Sequence, residues 1–295
     1  MSLRRWPKKL FDLYLFGNFH ISLGAVSVAF STQLIFGFHL RWELFVFLFC
    51  GTFFGYNIQR LPSAFENAHI PRKFYRHHWN TQHRKLLTVL SVIALAAFTL
   101  SFFTLYRRTQ IAAVIPGFLS FAYAFPVIPS RKKWLRLREI PGTKIFIIAF
   151  TWAISCVLVP ATAARSEMMP WYSLPVMSWC CCVMLLIIAI TIPFDIRDIN
   201  YDAKDLKALP YLIGVNGSKI GAIICLFASI LLFFFYILPS PTTDIKALVA
   251  YMCWCVLAAL LVMRSSPKRH EYYYSFLIDG SLLLLFPMLL LAGEI

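Results

Sequence analysis

Asp195, Asp198, Asp202 and Asp205 fall within TIPFDIRDINYDAKDLKALPYLIG (191–214), in a chain that has only 13 acidic residues. Their offsets from the first, 3, 7 and 10, are helical spacing. At about 100° per residue the four occupy an arc of roughly 80°, with Arg197 and Lys204 expected on the opposite side. Carboxylates along one face repel one another unless a cation sits against them. A divalent metal holding a phosphate supplies that cation, while solvated charge on a cytoplasmic loop is the plain alternative. Concentration favours chemistry: the acids follow directly on an apolar run, in a chain with 14% charged residues.

The elements that must position this segment belong to a membrane. With 60% hydrophobic residues and a mean hydropathy of +0.70, a chain of 295 residues carries more apolar surface than a soluble core can bury. The sequence predicts an all-α, polytopic membrane bundle of nine transmembrane helices in a single domain, 1–295. The spans lie at about 11–37, 42–60, 86–105, 110–127, 143–163, 172–195, 218–238, 244–263 and 272–293. The first apolar run is long, carries internal polar residues and lacks a small-residue cleavage pattern, so it is expected to remain as a span.

A net charge of +15 raises the question of nucleic acid, and the distribution of Lys and Arg answers it. Taking alternate loops, one side holds 23 of the 28 basic residues, and the other holds Arg41, Arg107, Arg108, Arg165 and Lys246. This is the positive-inside pattern, which predicts a cytoplasmic N-terminus and a C-terminus on the far side. Nucleic-acid binding is not needed to explain the charge. The setting it suggests is a multi-pass integral protein of a bacterial inner membrane. The eight cysteines all lie in apolar runs without His at metal-ligand spacing and read as small hydrophobes; the Cys180–Cys182 run has no chemical explanation.

Most unusual residues lie in the segments 60–85, 127–142 and 196–217, on the side expected to be cytoplasmic. Polar patches follow span 2 (YNIQRLPSAFEN) and span 6 (FDIRDINYDAKD), a weak internal repetition. Polar groups within spans are the other signal, since each is costly in hydrocarbon unless paired. These are Asn18, His20, Asn57, Gln59, Tyr123 and Asp279. For Asn and His the plain reading is a hydrogen bond between helices. For Asp279 it is a protonated acid bonded to a neighbour, and the alternative is a place in the site.

DIRDINYDAKDLKALPYLIG (195–214) resembles the second aspartate-rich motif of the UbiA superfamily of intramembrane prenyltransferases, most nearly its menaquinone-type branch. The resemblance implies that Asp198 and Asp202 are the catalytic metal-binding pair, with Asp195 beside them. It places Lys207 at the following basic position and Gly214 at the end of a short cytoplasmic helix. FAYAFPVIPSRKKWLRLREIPGTKIF (121–146) resembles the family's fourth-helix end and loop, where Tyr123 matches a Tyr and Arg131, Lys132 and Lys133 compete for a basic position. The family's nine-span, N-inside topology matches the one read above.

The first family motif, Asn-Asp-x-x-Asp-x-x-x-Asp, is absent. Asn57-Ile58-Gln59-Arg60-Leu61-Pro62-Ser63-Ala64-Phe65 stands in its place, so only the Asn survives and Arg60 adds a positive charge. In the family the two motifs hold Mg²⁺ that bridges an isoprenyl diphosphate, whose chain passes to a lipophilic acceptor. The resemblance therefore implies Mg²⁺ as cofactor, isoprenyl diphosphate and a lipophilic acceptor as partners, and phosphate held by Arg60, Lys132 and Lys207. Asn18, His20 and Asn57 are expected to line the acceptor end. Either one metal at Asp198 and Asp202 suffices, with Arg60 acting on the diphosphate, or the chain is a non-catalytic protein that binds a polyprenyl lipid or another membrane enzyme. A cavity between the Asp198 and Asp202 carboxylates and Arg60 and Lys132, open toward the bundle core, would favour a diphosphate site; direct salt bridges filling that space would favour the second reading, and an Asp279 that faces the same cavity would join the site.

Overall fold

The structure is a computed structural model that describes residues 5–39, 41–60, 75–129, 134–164, 169–199 and 208–294. Its helices are α1 (Arg5–Phe16), α2 (Phe19–Ile35), α3 (Trp42–Ile58), α4 (Tyr75–Gln82), α5 (Arg84–Thr104), α6 (Arg107–Ala124), α7 (Lys144–Ala164), α8 (Leu174–Asp198), α9 (Leu209–Ile237), α10 (Ile245–Met263) and α11 (Tyr273–Gly293). The only strands among the described residues are β1 (Ile128–Pro129) and β2 (Trp134–Leu135), an antiparallel pair with Ile128 opposite Leu135.

Every one of the nine expected stretches is helical, and the all-α membrane architecture stands. Among the described residues, six helices are long and apolar enough to cross a membrane by length and hydropathy, or seven with the bent pair α1–α2. Two stretches fall short for local reasons. α3 has 17 residues, and α6 opens on Arg107 and Arg108 and carries Pro116. The first expected span is not one helix, because the chain turns by 55° between Phe16 and Phe19. α9 starts earlier than expected and breaks at Gly214 (φ 73°, ψ 169°), a conformation that an L side chain rarely adopts. Gly214 thus ends a short helical piece, as expected.

The helices close into a ring. α2 packs on α3, α3 on α5 and α6, and α6 through α11 pack in sequence before α11 returns onto α2. α2 is buried on nearly every side, which suits its run of small residues. A Cβ on Gly24 would stand 3.2 Å from Leu282 Cβ, so this glycine sets the approach of α2 to α11. α5 and α6 instead leave Leu100, Phe103, Ile111 and Phe118 exposed, as helices facing lipid do.

Prolines inside spans leave carbonyls without their helical donors. α2 supplies the replacements. The carbonyl four residues before Pro160 belongs to Cys156, in a π-helical turn over Ile154–Leu158, and Thr32 Oγ1 donates to it at 2.7 Å. The carbonyl four residues before Pro287 belongs to Leu283 and accepts from Ser27 Oγ at 3.1 Å. Trp179 Nε1 in turn donates to Thr32 Oγ1 at 2.8 Å. Two further π-helical turns lie at Phe233–Ile237 in α9 and Tyr273–Ile278 in α11.

Candidate active site

The bend between α1 and α2 places Asn18, which has φ 70° and ψ 15°. It is the one non-glycine with positive φ among the described residues, and asparagine tolerates that region better than most side chains. The orientation of its buried amide follows from its neighbour. Asn57, on the last turn of α3, donates through Nδ2 to the carbonyls of Gly17 (3.2 Å) and Phe53 (2.9 Å). Its Oδ1 is then an acceptor, and Asn18 Nδ2 donates to it at 2.9 Å. Asn18 Oδ1 remains to accept two guanidinium groups, Arg60 Nη1 at 2.7 Å and Arg76 Nη2 at 2.9 Å.

Arg76 comes from α4 and is 9% exposed. It reaches Ser275 Oγ at 3.3 Å and lies 3.8 Å from Glu271 Oε1, while its Nε has no hydrogen-bond partner among the described residues. Glu271 Oε1 also accepts from Ser275 Oγ (3.2 Å) and from Arg197 Nη1 (2.9 Å). Arg197 closes bidentately on Asp198, Nε to Oδ1 at 2.7 Å and Nη2 to Oδ2 at 2.8 Å. One connected polar cluster therefore joins the ends of α3 and α8, the α1–α2 bend, α4 and the start of α11.

Asp279 has no hydrogen bond or ion pair among the described residues, and it lies in the field of Arg76, Arg60 and Arg197. Tyr56 is within electrostatic range of Asp279, Arg60 and Tyr123. Tyr56, Arg60, Tyr123 and Asp279 are each half-buried. Asp279 lies within electrostatic range of the arginine cluster. Burial, and then the charge of Arg76, push Arg60 below the ordinary arginine range; burial likewise lowers Arg76, opposed by Glu271 and Asp279.

The expected acidic face is divided between two cations. Asp195 is buried and pairs with Lys144 Nζ at 2.8 Å, tying α8 to the start of α7, while Asp198 is held by Arg197. Arg197 is not directed away from the carboxylates, as spacing alone predicted. At the end of α8 its long side chain folds back over the Phe194 and Tyr274 rings, 5.2 and 5.5 Å from their centroids, and so reaches Asp198. His20 has both ring nitrogens engaged within the protein. Nε2 donates to Phe276 O at 3.1 Å, which makes Nδ1 the acceptor for Tyr14 OH at 2.9 Å. Asp202, Lys132 and Lys207 lie outside the described residues, as does most of the segment replacing the first motif.

The described residues do not fit a magnesium clamp built from two motifs. Both oxygens of Asp198 face Arg197, Arg60 occupies the first-motif side, and no group of three His, Cys, Asp or Glu is placed to hold a metal among the described residues. Sequence reasoning missed Arg76, Glu271 and Ser275. Arg76 is one of many cations in the 60–85 segment and carries no spacing signal. Glu271, Ser275 and Asp279 do carry one: offsets of four and eight put them on roughly one side of a helix.

No family model and no curated protein matches the chain. Solved structures do. A UbiA homologue from Aeropyrum pernix in its apo form aligns over 93% of this chain and 98% of its own, with a TM-score of 0.69 at 12% identity. A UbiA homologue from Archaeoglobus fulgidus bound to GPP and Mg²⁺ aligns over 96% and 99%, with a TM-score of 0.66 at 11% identity. A digeranylgeranylglyceryl phosphate synthase aligns over 97% of both chains, with a TM-score of 0.55 at 19% identity. The likeness runs nearly end to end in each pair, and it establishes that this multi-pass membrane protein has the fold of the UbiA superfamily.

Proposed function

We propose that the protein is an intramembrane prenyltransferase that binds an isoprenyl diphosphate at its arginine-rich end and passes the prenyl chain to a lipophilic acceptor. The observation that carries this reading is the convergence of Arg60, Arg76 and Arg197 with Asp198, Glu271 and Asp279 at one end of a UbiA-type bundle. Guanidinium groups suit a diphosphate because each presents a planar fork of donors to phosphate oxygens. The apolar interior between the helices suits the chain. The bond that breaks is the allylic C–O bond, its electron pair leaves with the diphosphate, and the allylic carbon bonds to the acceptor nucleophile, which releases a proton. Cationic side chains at the leaving diphosphate favour that step electrostatically.

Mg²⁺ is the cofactor the resemblance implies, with Asp198 and Asp202 as its ligands. With Asp198 committed to Arg197, no step is routed through a metal here. Asn18, His20 and Asn57, expected at the acceptor end, serve as frame residues in this reading, since their hydrogen bonds run to other helices. Lys132 and Lys207 keep their proposed place near the phosphates. The proposed setting is a bacterial-type cell membrane with the arginine-rich end inward.

The closed Arg197–Asp198 pair and the missing first motif favour one other reading, a protein that binds a polyprenyl lipid without turning it over. Incubation of the purified protein with geranylgeranyl diphosphate and a panel of phenolic, quinol-precursor and glycerol-phosphate acceptors separates the two. Pyrophosphate release accompanied by a prenylated product of the expected mass supports transfer. Ligand binding without either product, against an active family enzyme as control, selects the second reading.

A further inference from the structure

The two described carboxylates of the second aspartate-rich motif are matched to cations that the protein itself supplies. Lys144 Nζ stands 2.8 Å from Asp195 Oδ1, and Arg197 closes on both oxygens of Asp198 at 2.7 and 2.8 Å. The second pair is of an uncommon kind. Adjacent residues on a helix point about 100° apart and do not ordinarily face one another. Between two mobile surface neighbours such a pair would contribute little. Here the contact is imposed from outside α8. The Arg197 guanidinium lies over the rings of Phe194, one turn back on α8, and of Tyr274 on α11, at 5.2 and 5.5 Å from their centroids. Tyr274 is fully buried and anchored, since its OH donates to Ser266 O at 2.6 Å and accepts from Ser266 N at 3.1 Å. Glu271 Oε1 then takes Arg197 Nη1 at 2.9 Å. Nε, Nη1 and Nη2 are thus all committed to two carboxylates, one at the end of α8 and one at the start of α11.

A seat of this kind disfavours a divalent ion at Asp198 on two counts. The ion needs the carboxylate oxygens that the guanidinium fork occupies, and displacing a bidentate, charge-assisted pair forfeits hydrogen bonds of the strongest class. An Arg197 released from Asp198 would also remain held by Glu271, close enough to repel the incoming ion. Mg²⁺ dehydrates reluctantly, so one contested carboxylate gives it little reason to stay. We propose that Asp198 is a positioning residue for Arg197 and not a metal ligand: the guanidinium, clamped between Asp198 and Glu271, takes the place of the divalent cation at this motif and fastens the end of α8 to the start of α11. The inference concerns the same end of the bundle as the proposed prenyl transfer and does not rest on it.

The test is the melting temperature in EDTA of the full-length protein in detergent, for Asp198→Asn, Arg197→Gln and the double variant. Beside it, Mn²⁺ binding is read by electron paramagnetic resonance, with and without inorganic pyrophosphate. Each single variant should melt about 2–4 °C below wild type. The double variant should melt close to Arg197→Gln alone, since either change breaks the same contact. A metal ligand behaves in the opposite way: with no ion present, removing one carboxylate from an acidic segment leaves the melting temperature unchanged or raises it. Mn²⁺ should bind Asp198→Asn within about threefold of its affinity for wild type, or bind neither protein, whereas loss of a ligand costs about tenfold or more. If Asp198→Asn does not fold, Arg197→Lys keeps the charge and loses the fork. The clamp then predicts melting in EDTA between wild type and Arg197→Gln, and a value equal to wild type overturns it. Additive effects in the double variant, no fall in the EDTA melting temperature of Asp198→Asn, or a loss of about tenfold or more in its Mn²⁺ affinity also overturns the assignment. Any of these returns Asp198 to the metal and leaves the prenyl-diphosphate reading intact.

Discussion

Two polar neighbourhoods on α2 and its N-terminal bend obey the same constraint and resolve it differently. Around Thr32 and Ser27 each donor meets an acceptor. Trp179 donates to Thr32, Thr32 to the Cys156 carbonyl, and Ser27 to the Leu283 carbonyl. Near them Tyr251 bonds Ser229, and Trp254 bonds the Ser281 carbonyl. Around Asn18 the pairing is incomplete: Arg76 Nε has no hydrogen-bond partner among the described residues, and Asp279 has no hydrogen bond or ion pair there. In hydrocarbon an unmatched polar group is costly, so a closed network is a structural device. In the proposed reading the incomplete one is where a ligand completes the pairing.

If that contrast is right, substitutions in closed contacts lower stability and those in the open cluster lower binding. The largest effect is expected at Asp195→Asn. Asp195 is almost fully buried and Lys144 about a third exposed, so breaking the pair should cost roughly 2–3 kcal/mol, at or below the low end for buried pairs, as a drop in melting temperature. An unchanged melting temperature with a lost Mg²⁺ response would instead make Asp195 a metal ligand and dissolve the contrast. Thr32→Val comes next at about 2 kcal/mol, because it strands both Trp179 Nε1 and the Cys156 carbonyl. Tryptophan fluorescence and melting of the same sample read both consequences.

Gly280→Ala puts a Cβ 2.8 Å from His20 Nε2 and should break the bond to Phe276, at about 1–2 kcal/mol. A melting temperature equal to wild type would show that His20 can move aside freely. Ser27→Ala removes one hydroxyl between α2 and the Pro287 turn and should cost about 0.6 kcal/mol, the average for such bonds in membranes. The smallest change is expected at Arg60→Gln, where apo stability should stay within about 0.5 kcal/mol of wild type or rise, since a repelling charge is removed. A large loss of apo stability there would assign Arg60 to the closed class.

The acidic segment was legible because spacing and composition report directly on a helix end, and α8 does end at Asp198. Asn57 and Asp279 were legible as polar groups that hydrocarbon does not tolerate alone. Arg197 was misread because a helical wheel fixes where a Cβ starts and not where a long guanidinium finishes. Arg76 was invisible for another reason: among so many cations in the 60–85 segment, sequence carries no mark of the one whose helix is folded under the bundle.

Taken alone, the sequence determined an all-helical membrane chain and the side on which its charges gather. Those properties follow from local composition, since hydropathy and charge act residue by residue on the choice between lipid and water. Only the tertiary structure decided which charges meet. Asp198 is matched to Arg197, Asp195 to Lys144, and Arg60 to Arg76 across Asn18, because pairing depends on how α1, α3, α4, α8 and α11 converge. Coulombic partnership is a matter of a few ångströms in space, and residues 58 or 74 positions apart come within that reach only when the ring of helices closes.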